Sequence, residues 1–243
     1  MRVTFYAVAL TLASPSVAGD QTSASAMRVT DLPGGSAIGR LVFGGRSMCT
    51  GALVSDDLVL TAAHCLYDPF NGRKIDTSKM KFQAGMAGGK AKAVRGVVSA
   101  KHHPEYKHRK RGKNAQLGYD VALLRLNEAI PSSAAKPVPV GGRPAKGEML
   151  GVVSYALGHK NDPAFAYPCQ VLAQQSETLV MSCEVDFGAS GAPVLSFGDG
   201  QKPALVSVVS AKAAMGGRKV SVGTSLDTKT LNALMTESWA SLK

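Results

Sequence analysis

The stretch LVLTAAHCLYD, residues 58–68, begins as a short apolar run and ends with a histidine, His64, directly beside a cysteine, Cys65. The first part has the Val and Leu content of a buried β-strand. A histidine in an apolar setting is most often an ordinary buried residue, but it can also be a general base or a metal ligand. The stretch therefore predicts a strand that ends at His64, which could be a buried core residue, a general base or a metal ligand.

Runs of the same kind recur along most of the chain. From Ala37 onward, short apolar runs rich in Val, Leu and Ala are broken by turn residues about every ten positions, giving a dozen candidate strands. No long helical pattern separates them, so the chain favours an antiparallel sandwich or a pair of barrels over a parallel sheet. One C-terminal α-helix is predicted after Asp227 or Thr228. Its apolar face would consist of Leu231, Leu234, Met235 and Trp239.

Composition and the first residues bound the class of protein. Of the 243 residues, 45% are hydrophobic and 19% charged, which excludes a disordered chain and supports a sizeable core. The segment MRVTFYAVALTLASPSVAGD has a positive charge at Arg2 and an apolar run to Ala13. It also has small residues, Ser16 and Ala18, at the spacing that signal peptidase recognises. We expect a signal peptide at 1–18, a leader or short propeptide at 19–35, and one domain at 36–243. The apolar run is too short to span a membrane, so a secreted, extracellular or periplasmic protein without a transmembrane segment is expected.

Export also determines how the cysteines are read. The chain has four, and an even number in an oxidising compartment predicts two disulfides, for which three pairings are possible. A four-cysteine zinc site is the alternative, but no C-x-x-C pair is present. We therefore expect disulfides, no metal and no cofactor. The cysteines are Cys49, Cys65, Cys169 and Cys183.

The net charge of +11 favours contact with acidic surfaces but identifies no function. Basic residues crowd the loop KHHPEYKHRKRGKN, residues 101–114, which we call the basic loop. It is either a solvated surface loop or a docking patch for an acidic partner. Its three histidines, His102, His103 and His108, lack an acidic or thiol partner at fixed spacing, so a metal site there is not expected.

Three residues supply the parts of a nucleophilic site. His64 ends one candidate strand, Asp120 opens another in GYDVALLRL, and Ser190 lies in FGASGAPV. A serine hydroxyl becomes a good nucleophile when a neutral histidine takes its proton. A buried carboxylate can then fix the histidine tautomer and stabilise the imidazolium. Because the run after Asp120 must be buried, this carboxylate needs a partner such as His64.

The surroundings of Ser190 suit such chemistry. Glycines at 188 and 191 allow a tight turn that directs the amides of Gly188 and Ser190 toward one point, where an oxyanion could bind. A plain Gly-Ser turn between strands is the alternative. The order His, Asp, Ser and the alanine at 192 exclude the G-x-S-x-G pattern of α/β-hydrolases.

The motifs LTAAHC, HPEY before GYDVALLRL, and GASGAPV, in this order, resemble those of the chymotrypsin-like or trypsin-like serine endopeptidases. The resemblance runs from about Ala37 to the predicted C-terminal helix. CTGALVS and CEVDFGASGAP look most like the bacterial branch that includes the secreted glutamyl endopeptidases. The resemblance to these endopeptidases implies an all-β fold of two six-stranded antiparallel β-barrels with a C-terminal α-helix, and a site in the cleft between the barrels.

The resemblance also implies a role for each residue. His64 would be the general base, Asp120 its orienting carboxylate and Ser190 the nucleophile, with Gly188 and Ser190 supplying the oxyanion amides. Cys65 would pair with Cys49 and pin the segment that presents the base. The substrate pocket would be lined by residues before the serine and in the strand after it. These are Glu184, Val185, Val209, Ser210 and Ala211.

Two positions depart from the resemblance. Trypsin-like proteases usually have an aspartate before the serine, which pairs with the new N-terminus after activation, whereas this chain has Ala189. Glutamyl endopeptidases typically have a hydroxyl residue and a histidine in the pocket, where Val185 and Val209 stand here. Glu184 could attract a Lys or Arg side chain, or it could be a salt-bridged or solvent-facing carboxylate.

The sequence thus predicts a secreted serine endopeptidase that acts on protein or peptide substrates through an acyl-enzyme on Ser190. We expect a monomer. The alternative is a non-catalytic binding protein on a protease scaffold that uses the basic loop to hold an acidic partner, and an esterase with the same three residues is a third reading.

Overall fold

Twelve strands form two closed antiparallel barrels of six strands each, as the resemblance implied. The computed structural model describes residues 29–44, 47–108, 116–198 and 202–227, together with residues 230, 231 and 234. The first barrel contains β1 (Ile38–Phe43), β2 (Ser47–Leu53), β3 (Leu58–Thr61), β4 (Met80–Ala84), β5 (Ala93–His102) and β6 (Ala122–Leu126). Its strands are hydrogen-bonded in the order β1-β2-β3-β6-β5-β4.

The second barrel is built from the C-terminal half of the chain. It contains β7 (Met149–Ser154), β8 (Ala164–Gln175), β9 (Thr178–Met181), β10 (Pro193–Ser196), β11 (Ala204–Met215) and β12 (Arg218–Ser225). The order around it is β10-β11-β12-β9-β8-β7. The twelve observed strands agree with the dozen candidate strands in number, and the predicted all-β fold is confirmed.

The alternation of side chains explains why these segments form strands. In β4, Met80, Phe82 and Ala84 are buried while Lys81 points to solvent, which is the period of two expected for a sheet with one buried face. Phe82 reaches across to β1, where a Cβ at Gly39 would lie 2.6 Å from its ring. A glycine is therefore required at position 39 for the ring to fill the barrel.

The two barrels pack directly on each other. A single cluster of buried side chains contains first-barrel residues together with Val153, Leu195 and Leu205 of the second barrel. Tyr155, at the end of β7, is 1% exposed, and its hydroxyl donates a hydrogen bond of 2.9 Å to the carbonyl of Met86 in the first barrel. Because this bond and the shared core cross the junction, they position the loops of one barrel against the other.

Each barrel contains one disulfide. Cys49 in β2 is bonded to Cys65, just after β3, and Cys169 in β8 is bonded to Cys183, just after β9. Among the described residues no cysteine is free. Of the three possible pairings, the structure has the one that joins nearest neighbours in sequence.

The N-terminal processing signals lie outside the described residues, which begin at Val29. Val29 and Leu32, placed by the sequence in the leader, are buried against the first barrel. The signal peptide at 1–18 and the cleavage of a leader stay predictions. In the described part of the chain, no helix is long and apolar enough to cross a membrane.

The predicted C-terminal helix is described only in part. The Asp227 carboxylate accepts a hydrogen bond of 2.7 Å from the N–H of Thr230, as an N-cap residue does. Thr230, Leu231 and Leu234 are helical, and Leu234 is buried. Met235 and Trp239 lie outside the described residues, so the full helix remains a prediction.

Candidate active site

The chain leaves β3 in a way that separates the side chains of His64 and Cys65. The strand ends at Thr61, three residues earlier than predicted, and a 3-10 turn follows at Ala63–Leu66. In this turn the side chain of His64 is 31% exposed, whereas Cys65 is buried in the disulfide to Cys49. The turn therefore presents the imidazole at the surface of the first barrel on an anchored backbone.

The pairing of β3 with β6 brings Asp120 to His64. Thr61 at the end of β3 is opposite Ala122 at the start of β6, so the residues just beyond these ends are neighbours. One carboxylate oxygen of Asp120 lies 2.7 Å from His64 Nδ1, and the other accepts a hydrogen bond of 2.8 Å from the His64 backbone N–H. Asp120 is 3% exposed, so its charge has the partner that burial requires.

The environment of the pair shifts the titration of the imidazole. Burial lowers the pKa of His64, but the charge of Asp120 and its hydrogen bond to the ring act in the opposite direction. The net result is a pKa raised above the ordinary value of 6.5. Asp120 thus stabilises the imidazolium, which is the form that a histidine takes when it accepts a proton as a general base.

Ser190 lies in the turn that leads into β10, and this turn packs on the first barrel. Its carbonyl accepts a hydrogen bond of 2.8 Å from the N–H of Thr50 in β2. At Gly191, φ is +74° and an added Cβ would collide with the hydroxyl of Thr61 and lie 2.8 Å from the N atom of Ala62. The Ser190 turn is therefore seated against the end of β3, within three residues of His64.

A hydrogen bond fixes the direction of the peptide that precedes Gly188. The carbonyl of Phe187 accepts a hydrogen bond of 2.9 Å from the N–H of Leu157. Because the C=O and N–H of a trans peptide point in opposite directions, the N–H of Gly188 faces away from Leu157. Gly188 has φ of +104°, and a Cβ there would lie 2.8 Å from the carbonyl oxygen of Tyr155. Only glycine fits this conformation.

Ala189 stands where trypsin-like proteases usually have an aspartate. It is 1% exposed, and its N–H donates a hydrogen bond of 3.1 Å to the carbonyl of Asp186. The N–H of Ala192 in turn donates to the carbonyl of Ala189 at 2.9 Å. Backbone hydrogen bonds thus hold the turn at a position that carries no side-chain charge.

A cavity of about 380 Å³ lies beside this turn, between the segment before Gly188 and the β11–β12 hairpin. Of the five predicted pocket residues, Glu184 and Val185 line it. Glu184 is 71% exposed and lies 3.7 Å from the Lys219 ammonium, as the salt-bridged alternative expects, and its role in attracting a Lys or Arg side chain stays a prediction. The ammonium of Lys212, which also lines the cavity, is 3.6 Å from the centre of the Phe187 ring.

The other three predicted pocket residues, Val209, Ser210 and Ala211, lie in β11 but do not line this cavity. Val209 is buried, its carbonyl accepts from the N–H of Gly191 at 2.7 Å, and its N–H donates to Ala192 at 2.9 Å. The Ser210 hydroxyl lies 3.2 Å from that of Thr224. Of the three, Val209 is thus the residue that holds the Ser190 turn.

The three histidines of the basic loop pack among aromatic rings. His102 bonds through its ring nitrogens to the Tyr67 hydroxyl and the carbonyl of His103, and His108 stacks on Tyr67 with ring centres 3.9 Å apart. His103 Nδ1 accepts a hydrogen bond from the N–H of Glu105. Residues 109–115 lie outside the described residues, so the acidic partner stays a prediction.

One group of potential metal ligands occurs among the described residues, namely Cys49, His64 and Cys65. The two sulfurs are bonded to each other at 2.02 Å, so neither is available as a thiolate ligand. Sequence reasoning missed Thr50, whose backbone and hydroxyl both touch the Ser190 turn. A single threonine in a strand gives no signal except its place next to Cys49.

Comparison with known proteins bears on the family and the fold. The family model described as Trypsin matches residues 32–227. Serine protease 23 from Bos taurus is 28% identical over 166 residues, which is 60% of this chain and 43% of that protein. Granzyme M from Rattus norvegicus is 28% identical over 118 residues, covering 46% of this chain and 42% of that protein. The matched part of the chain spans less than half the length of these relatives.

Two solved structures share the fold. One, titled as a Glu endopeptidase in complex with MPD, has a TM-score of 0.67 at 17% identity and covers 82% of this chain and 88% of its own. The other, a thermostable serine protease AL20 from an extremophilic microorganism, has a TM-score of 0.63 at 18% identity and covers 83% and 97%. These likenesses bear on the fold alone. Together, the family match over most of the chain and the twelve-stranded double barrel show that this chain belongs to the trypsin family.

Proposed function

We propose that this chain is a secreted serine endopeptidase that hydrolyses peptide bonds in proteins or peptides. Ser190 acts as nucleophile, His64 as general base and Asp120 as its orienting group, while the amides of Gly188 and Ser190 bind the oxyanion. The observation that carries this proposal is the pair of hydrogen bonds that Asp120 accepts from the ring and the backbone N–H of His64, close to where the Ser190 turn packs on the first barrel.

The direction of the imidazole determines the proton path. Because Nδ1 is held by Asp120, Nε2 is the nitrogen left to accept the serine proton. As Ser190 Oγ attacks the scissile carbonyl, its proton moves to His64 Nε2, and the carbonyl oxygen becomes an oxyanion between the two amides. His64 then gives the proton to the departing amine, and the C–N bond breaks. Water, deprotonated by His64, hydrolyses the resulting ester on Ser190.

Secretion is supported by the cysteine chemistry as well as by the predicted signal peptide. Both disulfides join residues of the same barrel, and the described part of the chain has no free thiol. Disulfides of this kind persist in oxidising compartments and are rare where thiols are kept reduced.

Labelling of the mature, secreted chain with a fluorophosphonate tests the proposal. Such reagents react with a serine activated by a base, so we expect one adduct, located on Ser190 by mass spectrometry of the digested protein. A peptide substrate should slow the labelling, and unfolding in denaturant beforehand should abolish it. A folded mature protein that takes up no label would contradict the proposal and favour the non-catalytic binding protein.

The titration of His64 predicts the pH profile of the activity. His64 must be neutral to act as a base, so kcat/KM should rise with pH and level off above the pKa of His64 in the free enzyme. Since the Asp120 charge and hydrogen bond raise that pKa, the midpoint should lie above 6.5. The measurement is kcat/KM for one peptide between pH 5 and about 9.

His108 provides the matched control for this profile. Burial, followed by the charge of His64, lowers the pKa of His108 below 6.5. The variant His108→Gln should therefore keep the midpoint of the wild-type chain. If the wild-type midpoint lies below 6.5 and the pH dependence is lost in His108→Gln, the profile reports the titration of His108, and the prediction for His64 is wrong.

A further inference from the structure

Thr50 in β2 is completely buried, next to the disulfide at Cys49, and its polar groups are bonded to residues around Ser190. Its N–H donates to the carbonyl of Ser190 at 2.8 Å, and its own carbonyl accepts from the hydroxyl of Thr61 at 2.8 Å. Its hydroxyl oxygen accepts a hydrogen bond of 3.0 Å from the N–H of Tyr155. One residue of the first barrel thus contacts both the Ser190 turn and the end of β7.

The proton of the Thr50 hydroxyl has two acceptors in reach. The carbonyl oxygen of Gly188 lies at 3.2 Å and that of Tyr155 at 3.4 Å. A hydroxyl has one proton to donate, and the shorter distance favours Gly188. The hydroxyl therefore joins Tyr155 to the peptide group that follows Gly188.

This link acts on a backbone that needs support. Gly188 has φ of +104° and approaches Tyr155 so closely that a Cβ would lie 2.8 Å from its carbonyl oxygen. The peptide before Gly188 is held by the bond from Leu157 to Phe187, and the peptide after it is held by Thr50. Ala189 is buried and has no charge to anchor the turn, but its N–H, on the peptide after Gly188, donates to the carbonyl of Asp186 at 3.1 Å. Three hydrogen bonds thus hold the two peptides that flank Gly188, and Thr50 supplies the one that comes from the first barrel.

We propose that Thr50 is a positioning residue for the oxyanion site, because its hydroxyl holds the Gly188 peptide against Tyr155 in the conformation that binds the transition state. The first barrel then does more than supply His64 and Asp120, since it also shapes the anion site of the second barrel. This inference rests on the proposed peptidase function.

The variant Thr50→Val tests the inference, because valine has nearly the same shape and lacks the hydroxyl. Loss of the bond to the Gly188 carbonyl would let the Gly188 backbone shift from this conformation, and a displacement of an oxyanion donor acts on the transition state more than on bound substrate. We expect kcat for peptide hydrolysis to fall about 10- to 100-fold, with KM changed by less than about 2-fold. Steady-state kinetics at a pH above the His64 midpoint measure both constants.

Two further variants separate positioning from general loss of a buried hydroxyl. Thr50→Ser keeps the hydroxyl and should restore kcat to within about 3-fold of the wild-type chain. Ser207→Ala removes another fully buried hydroxyl, which donates only to the carbonyl of Thr224 in β12 at 2.7 Å. That variant should keep kcat and KM near the wild-type values.

The outcomes distinguish the inference from the proposed function. If the wild-type chain neither cleaves peptides nor takes up the phosphonate, the proposed function is wrong and the role of Thr50 falls with it. If the wild-type chain is active and Thr50→Val keeps the wild-type kcat, whether or not its KM is raised, the positioning role is wrong. Where Thr50→Val is unfolded by circular dichroism, Thr50→Ala replaces it, and unfolding of both variants would overturn the assignment in favour of a folding role.

Discussion

Replacing Ser190 with alanine should lower kcat for peptide hydrolysis by about 10⁶-fold and abolish labelling by the phosphonate. The substitution removes the atom that forms the acyl-enzyme, and the remaining rate would come only from the oxyanion amides and substrate binding. The fold should be retained, because Ser190 is held through its carbonyl by Thr50 and the neighbouring bonds of Gly191 and Ala192 are also made by the backbone. Active-site burst kinetics and circular dichroism measure the two effects.

Ser182 offers a matched control for this substitution. It is an exposed serine in the same barrel, and its hydroxyl accepts a hydrogen bond of 2.9 Å from the N–H of Gln170. Ser182→Ala should keep the activity and the single phosphonate adduct of the wild-type chain. Peptide hydrolysis by folded Ser190→Ala at more than a few per cent of the wild-type rate would rule out Ser190 as the nucleophile.

The fold could be predicted because its cause is local and repeated. Buried and exposed side chains alternate in segments such as Met80–Ala84, and turn residues separate these segments at short intervals. The way each barrel closes is not local. Residues as distant in sequence as Leu41 and Phe82 are paired across β1 and β4, and no short window of sequence records such a contact.

The candidate site divides in the same way. His64, Asp120 and Ser190 carry recognisable neighbours, so their residue types and order could be read from motifs. The residues that pair with a side chain and determine its charge environment could not be predicted from motifs, because they lie in other strands and loops. Glu184, for example, lies 3.7 Å from Lys219 in β12, a contact that no motif around Glu184 indicates.

The position of His64 shows a third limit. The apolar run LVLTAAH predicted a strand up to the histidine, but the strand ends at Thr61 and a 3-10 turn carries His64. The apolar residues Ala62 and Ala63 are completely buried in the turn, as apolar strand residues also tend to be, so the hydrophobic pattern does not distinguish a strand from a turn here. The disulfide of the next residue, Cys65, and the bond from the His64 N–H to Asp120 stabilise the turn.

Replacing Asp120 with asparagine should lower kcat/KM by about 10⁴-fold at neutral pH while the fold is preserved. The backbone N–H of His64 is always a donor, so the oxygen of the asparagine amide must face it. The NH₂ group then faces His64 Nδ1, which has to accept, and the imidazole proton must move to Nε2. A neutral imidazole with its proton on Nε2 cannot take the proton of Ser190, so the base is present in the wrong tautomer.

Two measurements separate this explanation from simple loss of a buried charge. Nitrogen-15 NMR of the histidine ring should show the neutral form protonated at Nδ1 in the wild-type chain and at Nε2 in Asp120→Asn. The pH midpoint of the residual activity should also move below 6.5, because burial, which lowers the pKa of His64, is no longer offset by the carboxylate. Asp57→Asn serves as the control, since Asp57 forms an ion pair with Arg125 at 3.1 Å, in which both side chains are partly exposed. If Asp57→Asn keeps full activity and Asp120→Asn loses it without a change of tautomer, Asp120 acts through its charge alone and its orienting role is wrong.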